Sequence, residues 1–272
     1  MVKPTRLTTL ALAALAGVLA TTAFGSSTPV GIGRMDVAPD TVAAGATNDF
    51  TFTFNANSSS LRGQTIIDFP PGWTLPQRSN PAAAGYLELR RGTCAGSTRI
   101  LSIRGRRVTI ATACPRRQGY QLLYHKATAP QIAADGYIFL TQTRSAAAGR
   151  KAKFRPLGSK HQPVVKVRGA SAVGLFVNAT GVATAGTDFT VTVRAVDAYG
   201  NTAYPYVGPT VTLGSSDPAA SLPPPHNYVQ GDGAQYAFTG TILRTPGTQT
   251  ITATDSNGLT GQSAPIVVLP AG

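Results

Sequence analysis

The sequence predicts an all-β protein, two tandem β-sandwiches behind an N-terminal export signal. Three observations carry that expectation. Apolar and polar side chains alternate with a period of two along most of the chain, whereas helical periodicity is nearly absent past residue 25. The alternating runs are short and bounded by Gly, Pro, Asn or Asp, which is how strands joined by turns are punctuated. Charge is split as well. Residues 26–168 hold 20 Lys and Arg against six acids, and residues 169–272 hold two against five. That break marks a domain boundary near Arg168-Gly169-Ala170.

Residues 1–25 read as the export signal. Lys3 and Arg6 precede an apolar run from Leu7 to Ala20, and Ala23-Phe24-Gly25 fits the small-x-small cleavage rule, so a mature chain is expected from about Ser26. The run is short for a bilayer core of roughly 30 Å, and no later run is long enough to span one. No transmembrane segment is therefore expected in the mature chain. Neither a Leu-Pro-x-Thr-Gly signal nor a hydrophobic tail closes the sequence. The product is expected to be secreted, free in the medium or held at the cell surface non-covalently.

The first domain is expected over 26–168. In Asn48-Asp-Phe-Thr-Phe-Thr-Phe54, three Phe share one face and Thr the other. Further strands are predicted at 64–69, 85–90, 99–103, 107–114, 119–125, 136–143 and 163–167. The second domain is expected over 169–272, joined through a short linker around Val167–Ser171. Asp188-Phe-Thr-Val-Thr-Val-Arg-Ala195 alternates cleanly, and strands follow at 206–213, 234–243, 248–254 and 264–269 after one at 173–179. About seven short strands in roughly 100 residues is the count of an immunoglobulin-like sandwich. The stretch from Val42 to Phe54 parallels Val182 to Val193. Each passes a Gly-containing turn into Asp-Phe-Thr-x-Thr, the mark of two diverged copies of one plan.

Four motifs in order carry a family resemblance: Ala185-Gly186-Thr187-Asp188-Phe189, Asp197-Ala198-Tyr199-Gly200-Asn201, Ser215-Ser216-Asp217-Pro218 and Gly247-Thr248-Gln249-Thr250-Ile251-Thr252-Ala253. Through them residues 175–269 resemble the bacterial immunoglobulin-like repeats of secreted and surface proteins, of the invasin/intimin or filamin-like kind. Residues 27–167 are more loosely similar to a partner module, through Phe69-Pro70-Pro71-Gly72-Trp73 and Ala127-Thr128-Ala129-Pro130. The resemblance implies a structural or adhesive role and no shared ligand.

Composition excludes several classes. At 42% apolar residues the chain is not disordered, and two Cys build neither a disulfide-dense scaffold nor a four-thiolate zinc site. Cys94 and Cys114 flank a predicted hairpin turning at Arg104-Gly105, which brings them opposite each other; in an exported protein this reads as a disulfide. Eight arginines form the candidate anion-binding patch: Arg90, Arg91, Arg99, Arg104, Arg106, Arg107, Arg116 and Arg117, with Arg150, Lys151, Lys153 and Arg155 further on. Arg106 and Arg107 at the hairpin tip and Arg116 and Arg117 past the disulfide are expected to crowd charge at one end of the sandwich. Guanidinium forks suit phosphate and carboxylate groups. The expected partner is an anionic cell-wall polymer or polysaccharide; with no recognition helix or stacking platform in view, nucleic acid is not expected.

Asp197, Asn201, Asp217 and Asp255 supply oxygen ligands in turns, but they form no contiguous calcium loop and read better as turn chemistry. No metal or cofactor is expected. The three His (125, 161 and 226) are scattered, and no Gly-x-Ser-x-Gly or His-Glu-x-x-His motif is present. A non-enzymatic binding or structural protein is the leading expectation. The alternatives are a subunit that self-assembles through strand edges and a carbohydrate-active enzyme drawing on Glu88 and Asp135.

Overall fold

The computed structural model describes residues 30–146 and 152–272. The signal expected over 1–25 lies outside the described residues, as do Arg150 and Lys151. Among the described residues the protein is nearly all β, and no helix is long and apolar enough to cross a membrane.

The first domain runs through β1 (Arg34–Ala38), β2 (Thr41–Ala43), β3 (Thr47–Asn55), β4 (Leu61–Asp68), β5 (Tyr86–Arg90) and β6 (Arg99–Arg104). It continues through β7 (Arg107–Cys114), β8 (Gly119–Thr128), β9 (Ala134–Ile138), β10 (Leu140–Ser145), β11 (Arg155–Pro156) and β12 (Val164–Arg168). The strands order as β1-β3-β8-β5, β11-β10-β4-β7-β6 and β2-β12-β9. The second domain holds β13 (Gly174–Asn178), β14 (Val182–Thr184), β15 (Asp188–Val196), β16 (Thr210–Ser215) and β17 (His226–Asn227). After them come β18 (Gln235–Ile242), β19 (Gly247–Gln249), β20 (Ile251–Asp255), β21 (Thr260–Gln262) and β22 (Ile266–Leu269). Their orders are β13-β15-β18, β14-β22-β19 and β17-β16-β20-β21.

The plans match. β1-β3-β8 corresponds to β13-β15-β18, β2-β12-β9 to β14-β22-β19, and β11-β10-β4 to β21-β20-β16. Both domains contain one parallel pair, β2 with β12 and β14 with β22. The two-residue β17 pairs with β16 where the long β7 pairs with β4, and the first domain adds β5 and β6. Alternation explains β3 and β15: each shows the same succession of exposed and buried residues over nine positions, and each has a register shift near its start. Over β2–β3 and β14–β15 the repeat therefore aligns without gaps at a spacing of 141 residues. Gly45 and Gly186 turn the chain at positive φ (+69° and +81°), where L side chains are strained. Their neighbours bond alike, Ala44 N–H to Arg168 O and Ala185 N–H to Leu269 O, both at 2.8 Å.

This spacing corrects the motif alignment. Phe50 is equivalent to Val191, not to Phe189, and the shared Asp-Phe pairs sit two residues apart in their strands. A shift of two leaves every side chain on its original face, so the alternating pattern alone cannot detect it.

Two separate apolar cores result, one from Met35 to Val167 and one from Leu175 to Val268. The first is aromatic. Phe50, Phe52 and Phe54 are fully buried, and Phe139 lies 4.9 Å from Phe52 and 5.0 Å from Trp73 between ring centroids. Trp73 is 3% exposed and contacts Phe50 edge-on, so it plugs the core and offers no stacking surface. The second core is aliphatic, built on Val191, Val193, Val211, Ile251 and Ile266 around Phe238 and Tyr228, whose hydroxyl donates to Val193 O at 2.8 Å.

Candidate functional site

The candidate site lies at the end of the first domain where β7 finishes and β8 begins. The Cys94–Cys114 disulfide is formed and ties the loop over 91–98 to the last residue of β7. With the cysteines 20 positions apart in sequence, closure of that loop contributes roughly 3 kcal/mol by restricting the unfolded chain. Backbone bonds fix the surrounding loops: Ala95 N–H to Ala113 O (2.8 Å), Arg117 N–H to Asn57 O (2.7 Å) and Ala56 N–H to Gln118 O (2.9 Å). At Gly92 a side chain is excluded, since its φ is +56° and a Cβ would meet Gly119 O at 2.7 Å.

On this braced end stand Arg91, Arg99, Arg116 and Arg117, all exposed. Arg91 donates to Gly96 O (3.1 Å) and Arg99 to Ser97 O (3.3 Å), bonds that orient the side chains and leave their charge uncompensated. Arg62 joins them. It is exposed on β4 opposite Ala113, one position from the disulfide, and the sequence reading missed it because only the β4–β7 register brings it there. Among the described residues none of these five arginines has a carboxylate within ion-pair distance. Arg90 reaches the same end but is paired with Glu88 at 2.8 Å.

The eight predicted arginines do not form one patch. Arg104, Arg106 and Arg107 lie at the other end of β7, a strand of eight residues, hence on the order of 23 Å away. They are also differently engaged. Arg107 forks onto both oxygens of Asp68 at 2.6 and 2.9 Å, a bidentate pair that raises its pKa, and Arg106 donates to Pro70 O at 2.8 Å. A hairpin separates its tip from its open end. The tip arginines and those past the disulfide are therefore at opposite poles, which corrects the expectation that they crowd together.

The acidic turns of the second domain are built by their own backbones. Asp197 Oδ1 accepts the N–H groups of Tyr199 and Asn201, and Asp255 Oδ1 those of Asn257 and Leu259, all within 2.8–2.9 Å. In both, a Gly at positive φ follows three residues after the Asp. They are two copies of one Asp-anchored turn. Among the described residues no three His, Cys, Asp or Glu side chains gather as a metal would require. Asp197 also serves the domain junction. Its Oδ2 accepts Ala170 N–H at 2.9 Å, while Asn201 Oδ1 accepts Ala133 N–H (2.9 Å) and Asn201 Nδ2 donates to Gln131 O (2.7 Å). Arg168 stacks over Tyr204 at 4.3 Å, beside an open interdomain cleft of about 520 Å³.

Asp217 is buried and accepts from Ala219, Arg244 and Thr245 N–H and from the Thr245 hydroxyl. Burial opposes its ionisation, but these bonds together outweigh burial and hold the carboxyl well below the ordinary range. A lowered folded-state pKa contributes stability that is complete above the unfolded value, near ~4, and is lost as pH falls below it. Calorimetry should therefore show the second domain's Tm level from pH 7 to about 5 and falling below about 4. Asp217→Asn should flatten most of that acid limb; an unchanged limb in the variant rejects the assignment.

Glu88 sits on β5 beside Arg90 and His125, and Asp135 on β9 beside Lys166. The two carboxylates thus occupy separate ion pairs on different sheets. His226 pairs with Asp232 at 2.9 Å in the second domain.

No protein-family model matches the chain, and no curated protein matches it in sequence. Among solved structures it is similar to the adhesin InvE of Yersinia pseudotuberculosis at 12% identity and a TM-score of 0.29, over 87% of this chain and 58% of that one. It is also similar to the type II cohesin dyad of the adaptor ScaA scaffoldin of Acetivibrio cellulolyticus at 12% identity and a TM-score of 0.32, over 89% of this chain and 98% of that one. The chain spans a little over half the length of the Yersinia chain. The architecture described above rests on this chain's own strand pairing.

Proposed function

We propose that this is a secreted, non-enzymatic surface-binding protein whose first domain docks electrostatically on an anionic cell-envelope polymer or polysaccharide. The second domain acts as a structural module that extends the first. One observation carries the reading: Arg62, Arg91, Arg99, Arg116 and Arg117 stand exposed, without carboxylate partners among the described residues, on strand ends and loops around a disulfide. Holding the loops still before binding reduces the ordering cost of association. A strongly basic first domain beside a mildly acidic second one also orients the molecule toward a negative surface.

Contacts of this kind are screened over about 8–10 Å at physiological ionic strength. The test is retention of the chain over 26–272 on immobilised polyphosphate and on an anionic polysaccharide. Retention at 20 mM NaCl with release well before 1 M is expected. Failure to bind at low salt, or binding that 1 M NaCl leaves intact, rejects the electrostatic reading.

A further inference from the structure

The sheet β11-β10-β4-β7-β6 ends at β6, which pairs with β7 on one side only. Several other edges in the molecule are guarded or short. Gln77 covers β5 by accepting Leu87 N–H (2.9 Å) and donating to Gly85 O (2.8 Å). Ser221 exchanges two 2.9 Å bonds with Ile242 at the end of β18, and β21 presses so closely on β13 that a Cβ at Gly261 would meet Leu175 O at 1.9 Å. β11 is only two residues long. β6 is six residues long, and among the described residues no backbone bond reaches it from outside the β6–β7 ladder. Exposed edges of that length invite another strand.

Grooves flank this edge. One of about 570 Å³ is lined by Leu75, Arg78, Leu101 and Ile103, and one of about 270 Å³ by Leu87, Leu89, Arg91 and Arg99; they share Arg78 and Ile100. Leu101, the residue without a partner on β7, is 42% exposed, and Leu75 across the groove is 55% exposed. These are seats for the alternate side chains of an extended peptide.

Charge chooses the occupant. Arg99 and Arg104 close the two ends of β6, and Arg78 and Arg91 line the grooves. The one carboxylate there, Glu88, is engaged by Arg90. A second copy pairing antiparallel through β6 would set Arg99 against Arg104 twice, and like charges directly opposite are destabilising. We propose that β6 accepts an extended acidic peptide segment of another protein as a sixth strand, its acidic side chains meeting the arginines and its apolar ones entering the grooves. This goes beyond polymer binding at the disulfide end, because backbone N–H and C=O groups do the recognising.

The probe is a fluorescein-labelled (Val-Glu)₄ octapeptide, compared with (Val-Lys)₄ and with a (Val-Glu)₄ N-methylated at alternate residues. Saturable binding of the first is expected, with amide exchange over residues 99–104 slowed at least tenfold and both control peptides at least tenfold weaker. An Arg99→Glu/Arg104→Glu variant should reverse the preference toward (Val-Lys)₄. N-methylation leaves charge untouched, so equal binding of the N-methylated peptide means a polyanion contact only and overturns strand addition while leaving the polymer reading standing. Protection elsewhere, no binding, or concentration-dependent self-association through 99–104 overturns it too.

Discussion

Replacing Phe52 by alanine is expected to lower the stability of the first domain by about 3–5 kcal/mol, the cost of a large cavity in a packed aromatic core. Phe52 is fully buried and sits against Phe139 (4.9 Å) and Phe69 (5.8 Å), rings that themselves pack on Trp73 and Tyr124. Rigid strands on both sides limit collapse into the void. The chain's single tryptophan, Trp73, lies in this core, so its fluorescence reports the first domain. Urea titration should show the Trp73 transition moving to lower denaturant, while a calorimetric transition of the Val191–Ile266 core stays within about a degree or two. Equal displacement of both transitions would mean that the two cores unfold as one unit.

The second large effect concerns charge. Changing Arg91, Arg99, Arg116 and Arg117 together to serine is expected to weaken polyphosphate binding at low salt by roughly 10³-fold. An arginine near an anionic surface is worth about 1 kcal/mol, and ~4 kcal/mol corresponds to that factor. Folding should be little affected, since none of the four makes a salt bridge among the described residues. A matched variant at the opposite pole, Arg104→Ser with Arg106→Ser and Arg107→Ser, should lose less than tenfold, because Arg107 is already neutralised by Asp68. Titration calorimetry of both variants decides the matter. A larger loss from the pole bearing Asp68 would place the binding surface there instead.

Alternation was enough to read β3, β7, β8, β15 and β18. The single runs expected over 136–143 and 248–254 each divide into two strands of different sheets, β9 with β10 and β19 with β20, and β1 was not foreseen. The run over 107–114 coincides with β7, and the faces of β15 divide as its Val and Thr residues require. Short elements escaped. β2, β14, β11 and β21 have two or three residues each, too few for a period to show, and they exist because a neighbouring strand supplies their hydrogen bonds. The Asp197 turn was legible as turn chemistry, since an Asp followed three residues later by Gly satisfies its own backbone. That Asn201 reaches Gln131 and Ala133 in the other domain was not, because its partners are about 70 positions away.

The amino-acid order alone determined that this chain is built of sheets, where strands such as β3, β7 and β15 run, which of their faces are apolar and which two cysteines are positioned to join. Those properties depend on neighbours one to four residues apart or on a single hairpin, and local stereochemistry decides them. Only the tertiary structure decided the 141-residue register of the repeat, the division of the arginines between two poles, the arrival of Arg62 beside the disulfide and the bare edge of β6. Each of these depends on which distant strands pair and at what offset, a choice among arrangements that keep every residue on its correct face and that only packing of the whole core distinguishes.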